Sequence, residues 1–197
     1  MTRSLTSGLF VLAALAQLAF PAALIARYES TLRLGAAYRM KTAPVDPVDV
    51  FRGRYVTLSF DVPPAPWRGS GPPASGSEVY ALLDVGPDGF GRVREVAADK
   101  PARGDWLTVK ASPEYRYEAG ETRFTGNVSV TLPFDRFYMD ETKAADAERR
   151  YREANRAADP SAGAPVESWA LVRVRGGAGV LEDLVIGGTS ARSPQPR

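Results

Sequence analysis

Apolar and polar residues fall along this chain in two different rhythms. From Gly8 to Ala26 the run GLFVLAALAQLAFPAALIA carries no charge. At about 1.5 Å per residue it makes a helix of roughly 28 Å, near a hydrocarbon thickness of about 30 Å. Gln17 and Pro21 are tolerable there, because local adjustment re-satisfies the freed backbone groups of a spanning helix. Arg3 precedes the run and Arg27 ends it. The pattern predicts a transmembrane anchor within residues 1–27. A cleaved signal peptide fits less well, since Leu24-Ile25-Ala26 puts a large residue where cleavage wants a small one.

Beyond Lys41 the period shortens to two. Tyr55, Thr57, Ser59 and Asp61 alternate with Val56, Leu58, Phe60 and Val62, which predicts a strand over Phe51 to Val62 with one buried face. Glu78 to Val85 and Gly91 to Ala97 read as a hairpin across Gly86-Pro87-Asp88-Gly89. Asp105 to Ala111 and Thr122 to Leu132 follow as strands, and Trp169 to Arg175 with Gly179 to Ile186 close the series as a second hairpin. Pro63 to Ser77 is rich in Pro, Gly and Ser and reads as a flexible loop with Trp67 as its one adhesive residue. Ala144, Ala147, Tyr151, Ala154 and Ala158 form a stripe at helical spacing, so Glu141 to Ala158 is expected to be a helix with Asp140 as its cap.

These elements predict a β-rich α+β fold: a single, mostly antiparallel domain with one inserted helix, preceded by an N-terminal transmembrane helix. The expected division is an anchor segment at 1–27, a linker or first element at 28–50, the β-rich domain at 51–188 and a flexible tail at 189–197. Glu29 to Lys41 is open between a continued helix and a first strand.

Composition narrows the chemistry. The 197 residues contain neither Cys nor His. Thiolate nucleophiles, Cys-based metal centres and His-dependent catalytic arrangements are therefore absent. No cofactor is expected, and no enzyme activity. The net charge is +2, with acids interleaved among the bases, which argues against a nucleic-acid partner. Asp84 to Glu95 partly matches a calcium loop, but Gly86 replaces a ligand and the flanks read as strands, so a hairpin turn accounts for it. Carboxylates remain the only candidate acids and bases. Asp46 and Asp49 form one cluster, and Asp135, Asp140 and Glu141 another. A pair drawn from them would suit a cell-envelope hydrolase, the alternative to a binding role.

The stretch Gly53 to Phe60, GRYVTLSF, resembles the signature of the GDYXXLXY protein family, small bacterial proteins named for that motif. Gly53, Tyr55 and Leu58 match it. Arg54 stands where the family has Asp, and Phe60 where it has Tyr. Arg136-Phe137-Tyr138 and the closing hairpin extend the likeness over roughly Ala43 to Gly188. The resemblance implies a protein anchored in the cytoplasmic membrane through Gly8 to Ala26. It also implies a small extracytoplasmic domain and a polytopic membrane protein as partner, with no known activity. Counted by themselves, Arg27, Arg33, Arg39 and Lys41 would favour the opposite orientation, although long domains translocate largely regardless of nearby charge. Arg54 in the acidic position leaves the motif a structural meaning. The binding residues expected from these clusters are Arg52, Arg54, Tyr55, Asp135, Asp140 and Glu141.

Overall fold

The charge-free run does not end its helix at Arg27. In the computed structural model, which describes residues 2–43, 55–118, 120–138, 149 and 168–191, helix α1 covers Thr2–Leu34. Its apolar part presents Leu9, Phe10, Val11 and Leu12 outward in succession, so it is apolar around its whole circumference. The last two turns mix charged and polar residues with Tyr28, Leu32 and Leu34, and they dock on the domain. Gly35 N–H closes the helix on Thr31 O (2.9 Å), Arg173 Nη1 donates to Gly35 O (3.3 Å), and Arg175 Nη1 donates to Ser30 Oγ. Gly35 is required by close approach: a Cβ there would lie 2.4 Å from Thr31 O and 3.0 Å from Val174 N. Strand β1 begins at Ala36, one residue past that helix-ending glycine. Glu29 to Lys41 is thus both helix and first strand.

Twelve strands follow among the described residues: β1 (Ala36–Ala43), β2 (Tyr55–Thr57), β3 (Ser59–Phe60), β4 (Ala65–Arg68), β5 (Glu78–Val85), β6 (Gly91–Ala97), β7 (Trp106–Glu118), β8 (Glu121–Thr131), β9 (Arg136–Tyr138), β10 (Ser168–Arg175), β11 (Ala178–Ile186) and β12 (Thr189–Ser190). They make a five-stranded sheet in the order β12-β11-β10-β1-β3, a two-stranded ribbon β2-β9, and a closed barrel β4-β6-β5-β7-β8. The domain is strand-rich and mostly antiparallel, as the alternation predicts.

Two expectations need correction. The single strand over Phe51 to Val62 is two short ones among its described residues. The chain changes partner at Leu58, so β2 pairs with β9 while β3 pairs with β1. Leu58 N–H donates to Asp135 O (2.7 Å) at the changeover. Pro63 to Ser77 is not wholly loop either. Within it β4 closes the barrel, pairing parallel with β6 at Trp67↔Val96 and antiparallel with β8 at Ala65↔Val128. Ala65 and Trp67 supply only two inward positions, which suffice because both flanks of β4 are paired. Trp67 Nε1–H then donates to Gly71 O (2.6 Å) and folds the following turn back. The expected helix Glu141 to Ala158 lies outside the described residues apart from Arg149, which is helical. The tail beyond residue 191 lies outside them too.

Barrel and sheet share a core. Val79, Ala81, Val96, Leu107, Val109 and Val128 from the barrel pack with Tyr38, Met40, Val172 and Val174 from the sheet. A second cluster, Leu58, Phe137, Ala170, Leu184, Ile186 and Ala191, joins the β2-β9 ribbon to the other end of the sheet. Phe60 packs on both clusters and meets Phe134 edge-on at 5.4 Å. The family's Tyr position is therefore an apolar bridge here, which suits Phe.

One polar group enters the first cluster. Tyr38 is 8% exposed, and its hydroxyl donates to Asp105 Oδ2 at 2.9 Å. Burial first, and then the bond to Asp105 and its charge, push the Tyr38 pKa up to about 12. A folded-state pKa raised above the unfolded value of 10.0 means stabilisation that is complete below that value and disappears as pH climbs toward 12. Unfolding of the full chain in detergent should therefore ease between those limits. Tyr38→Phe should flatten that slope and cost about 1.5 kcal/mol at neutral pH. An unchanged slope in the variant would assign the alkaline loss to another group.

Candidate functional site

The β5-β6 turn is the first place where acids gather. Arg92 Nε and Nη2 donate to the Asp84 carboxylate at 2.8 and 3.1 Å. Asp88 pairs with Lys41 Nζ at 2.9 Å and accepts Phe90 N–H at 3.2 Å. The Arg92 hydrogen bond holds Asp84 below the usual carboxylate range, and the Lys41 bond does the same for Asp88. Asp84 is paired with the hairpin's own Arg92 and Asp88 with Lys41 of β1, and strands flank both acids, which is the geometry of a turn rather than of a calcium loop.

The larger concavity lies where α1 meets the domain. Two adjoining cavities of about 440 and 420 Å³ share Tyr28, Pro133 and Gly179 as walls. The first is bounded by Leu24 and Arg27 of the helix and by Glu78, Thr108 and the Gly177–Gly179 turn of the domain. The second runs along Pro133 to Tyr138 and the first residues of β11, as far as Leu181. Together they form a groove that follows the helix from the end of its apolar run up to β9.

The backbone explains why this wall exists. Antiparallel pairing sets Tyr55 opposite Tyr138, Val56 opposite Phe137 and Thr57 opposite Arg136. Phe137 is 1% exposed and turns into the second core cluster. Alternation then turns Arg136 and Tyr138 outward, and both are exposed. Asp135 is exposed as well, 3.7 Å from Arg136 Nε.

Pairing thus joins the motif strand to the Asp135–Tyr138 segment, which the sequence could not do. Of the six residues expected to bind, Tyr55 stands in β2 by its backbone and Asp135 lines the groove. Arg52, Arg54, Asp140 and Glu141 lie outside the described residues, as do Asp46 and Asp49. Asp135 is the one member of the hydrolase clusters that is described, and its close partner is a cation. Sequence reasoning missed Tyr28, Arg27 and Glu78 as walls of the groove. An aromatic residue just past an apolar span is a known interfacial signal, so Tyr28 was findable. Glu78 was not, because its position depends on the barrel.

A family model described as GDYXXLXY protein matches residues 17–184. No curated protein and no solved structure matches the chain. The match begins inside α1, well before the motif, and ends in β11. It therefore spans the docked end of the helix, the β2-β9 ribbon and both walls of the groove. Since it covers most of the chain, this protein belongs to the GDYXXLXY protein family.

Proposed function

We propose that the protein is a non-catalytic accessory module, anchored in the cytoplasmic membrane by α1 with its domain on the extracytoplasmic side. In this reading it docks on a polytopic membrane protein through the groove. The observation that carries the reading is the junction. From Arg27 to Leu34 the helix continues about 12 Å beyond its apolar run, and only Gly35 separates it from β1. Bonds from Arg173 and Arg175 hold its end against β10. A domain joined in this way has little freedom to swing away from the bilayer. A partner reaching the groove must therefore stand close to the membrane surface, which favours a membrane-integrated protein over a freely soluble one.

Photo-crosslinking tests this. A photoreactive residue replacing Tyr138 in native membranes should capture a protein that resists carbonate extraction. The same residue at Tyr117, far along the β7-β8 arm, should capture none. Adducts confined to carbonate-soluble proteins, or equal capture from both positions, would refute the docking role. A carboxyl-terminal reporter active only in the cytoplasm gives the orientation: its activity would reverse the proposed side.

A further inference from the structure

The cavity at the foot of the groove is built across the boundary of the apolar run. Leu24 lies inside that run, Arg27 is its first charge, and Tyr28 follows at once. Opposite them the domain contributes Glu78, Thr108 and the backbone of the Gly177–Gly179 turn. Among the described residues, no hydrogen bond or ion pair engages the side chain of Arg27 or of Glu78. A cation and an anion thus line one cavity without neutralising each other. Lys110 stands opposite Glu78 in the β5-β7 pairing, yet it does not line the cavity and forms no ion pair with Glu78.

We infer that this cavity holds the headgroup of a membrane phospholipid carrying both a phosphate and a primary ammonium, as in phosphatidylethanolamine. The guanidinium of Arg27 takes the phosphate, for which its planar array of donors is suited. The carboxylate of Glu78 takes the ammonium. Leu24 offers the apolar surface along which an acyl chain descends into the bilayer, and Tyr28 sits at headgroup depth with its ring against the lipid and its hydroxyl in water. The presence of one charge of each sign carries the headgroup specificity. A purely anionic headgroup would meet Glu78 unfavourably, and a quaternary ammonium could not donate to it.

The inference rests on α1 spanning the bilayer, which carbonate extraction of native membranes reports separately. Full-length protein is purified in mild detergent, stripped of lipid, and offered phosphatidylethanolamine, phosphatidylglycerol or phosphatidylcholine in mixed micelles. Native mass spectrometry counts the lipid retained. The wild type should retain phosphatidylethanolamine about tenfold over the other two, the scale of one charge-assisted contact. Arg27→Ala should abolish retention of all three. Glu78→Gln should keep binding but lose the preference for the ammonium lipid. Both side chains are exposed, so an unchanged thermal transition is expected in each variant. Equal retention of the three lipids, preference for phosphatidylglycerol, or a Glu78→Gln variant with wild-type selectivity would overturn the inference while leaving the anchor intact. Release of the protein by carbonate would remove the anchor and the lipid site together.

Discussion

Phe137→Ala is expected to destabilise the full-length protein by about 3–5 kcal/mol, the usual cost of emptying a large aromatic from a sealed core. Phe137 is the largest of the fully buried side chains among the described residues. Its neighbours Leu58, Ala170, Leu184 and Ile186 come from β10, β11 and the β2-β3 changeover, so the cavity would have walls on three elements and little freedom to collapse. The local consequence is larger than the global one. The β2-β9 ribbon has three paired positions, and an isolated two-stranded ribbon is marginal in water. Phe137 and Leu58 pack it against the sheet. Urea denaturation in detergent reads the loss of stability, and amide exchange over Tyr55–Thr57 and Arg136–Tyr138 reads the release of the ribbon. Phe137→Leu, which leaves most of the volume filled, should cost well under half as much. Protection of the ribbon equal to wild type in the alanine variant would mean that something other than this side chain holds it.

Gly177→Ala is the second large effect, expected at about 2–5 kcal/mol from two sources. Gly177 has φ of +83°, where an L side chain costs roughly 1–2 kcal/mol. A Cβ there would also fall 2.1 Å from Cζ3 of Trp106 and 2.9 Å from Oγ1 of Thr108, so the seam must shift at an overpacking cost of about 1–3 kcal/mol. The seam matters because Gly177 O accepts Thr108 N–H at 2.9 Å, stitching the β10-β11 hairpin to the barrel beside α1. Gly176→Ala is the matched control: φ is +54° with nothing near the added methyl, so only the backbone term applies. Thermal unfolding of the pair separates the two sources. Equal losses at 176 and 177 would show that Trp106 yields without cost.

Much of the architecture was legible in local pattern. The two hairpins, Glu78 to Ala97 and Trp169 to Ile186, follow from alternation and glycine-bearing turns, and they stand close to where the pattern put them. Less was legible where a short segment owes its structure to neighbours. β4 has the composition of a loop and becomes a strand because β6 and β8 supply both of its partners. Leu58 keeps the alternation of one strand, yet its amide bonds to Asp135 O and divides that strand between two sheets. The candidate groove was legible only in fragments. Tyr55 and Asp135 belong to segments that pairing places together, while Glu78 looked like nothing more than the first residue of a strand.

The sequence by itself determined that the chain has an uncharged segment of membrane-spanning length, a mostly antiparallel β-rich body, no Cys or His chemistry, and a motif tying it to one family. All of these depend on composition or on spacings of a few residues, where backbone sterics and side-chain polarity act locally. Only the tertiary structure decided that a single glycine separates the helix from the first strand, that a Pro-rich stretch closes a barrel, and that Arg27 and Glu78 line one cavity. Those outcomes depend on hydrogen-bond partners and packing surfaces contributed by segments far apart in the chain, and no local pattern encodes which distant edge a strand will find.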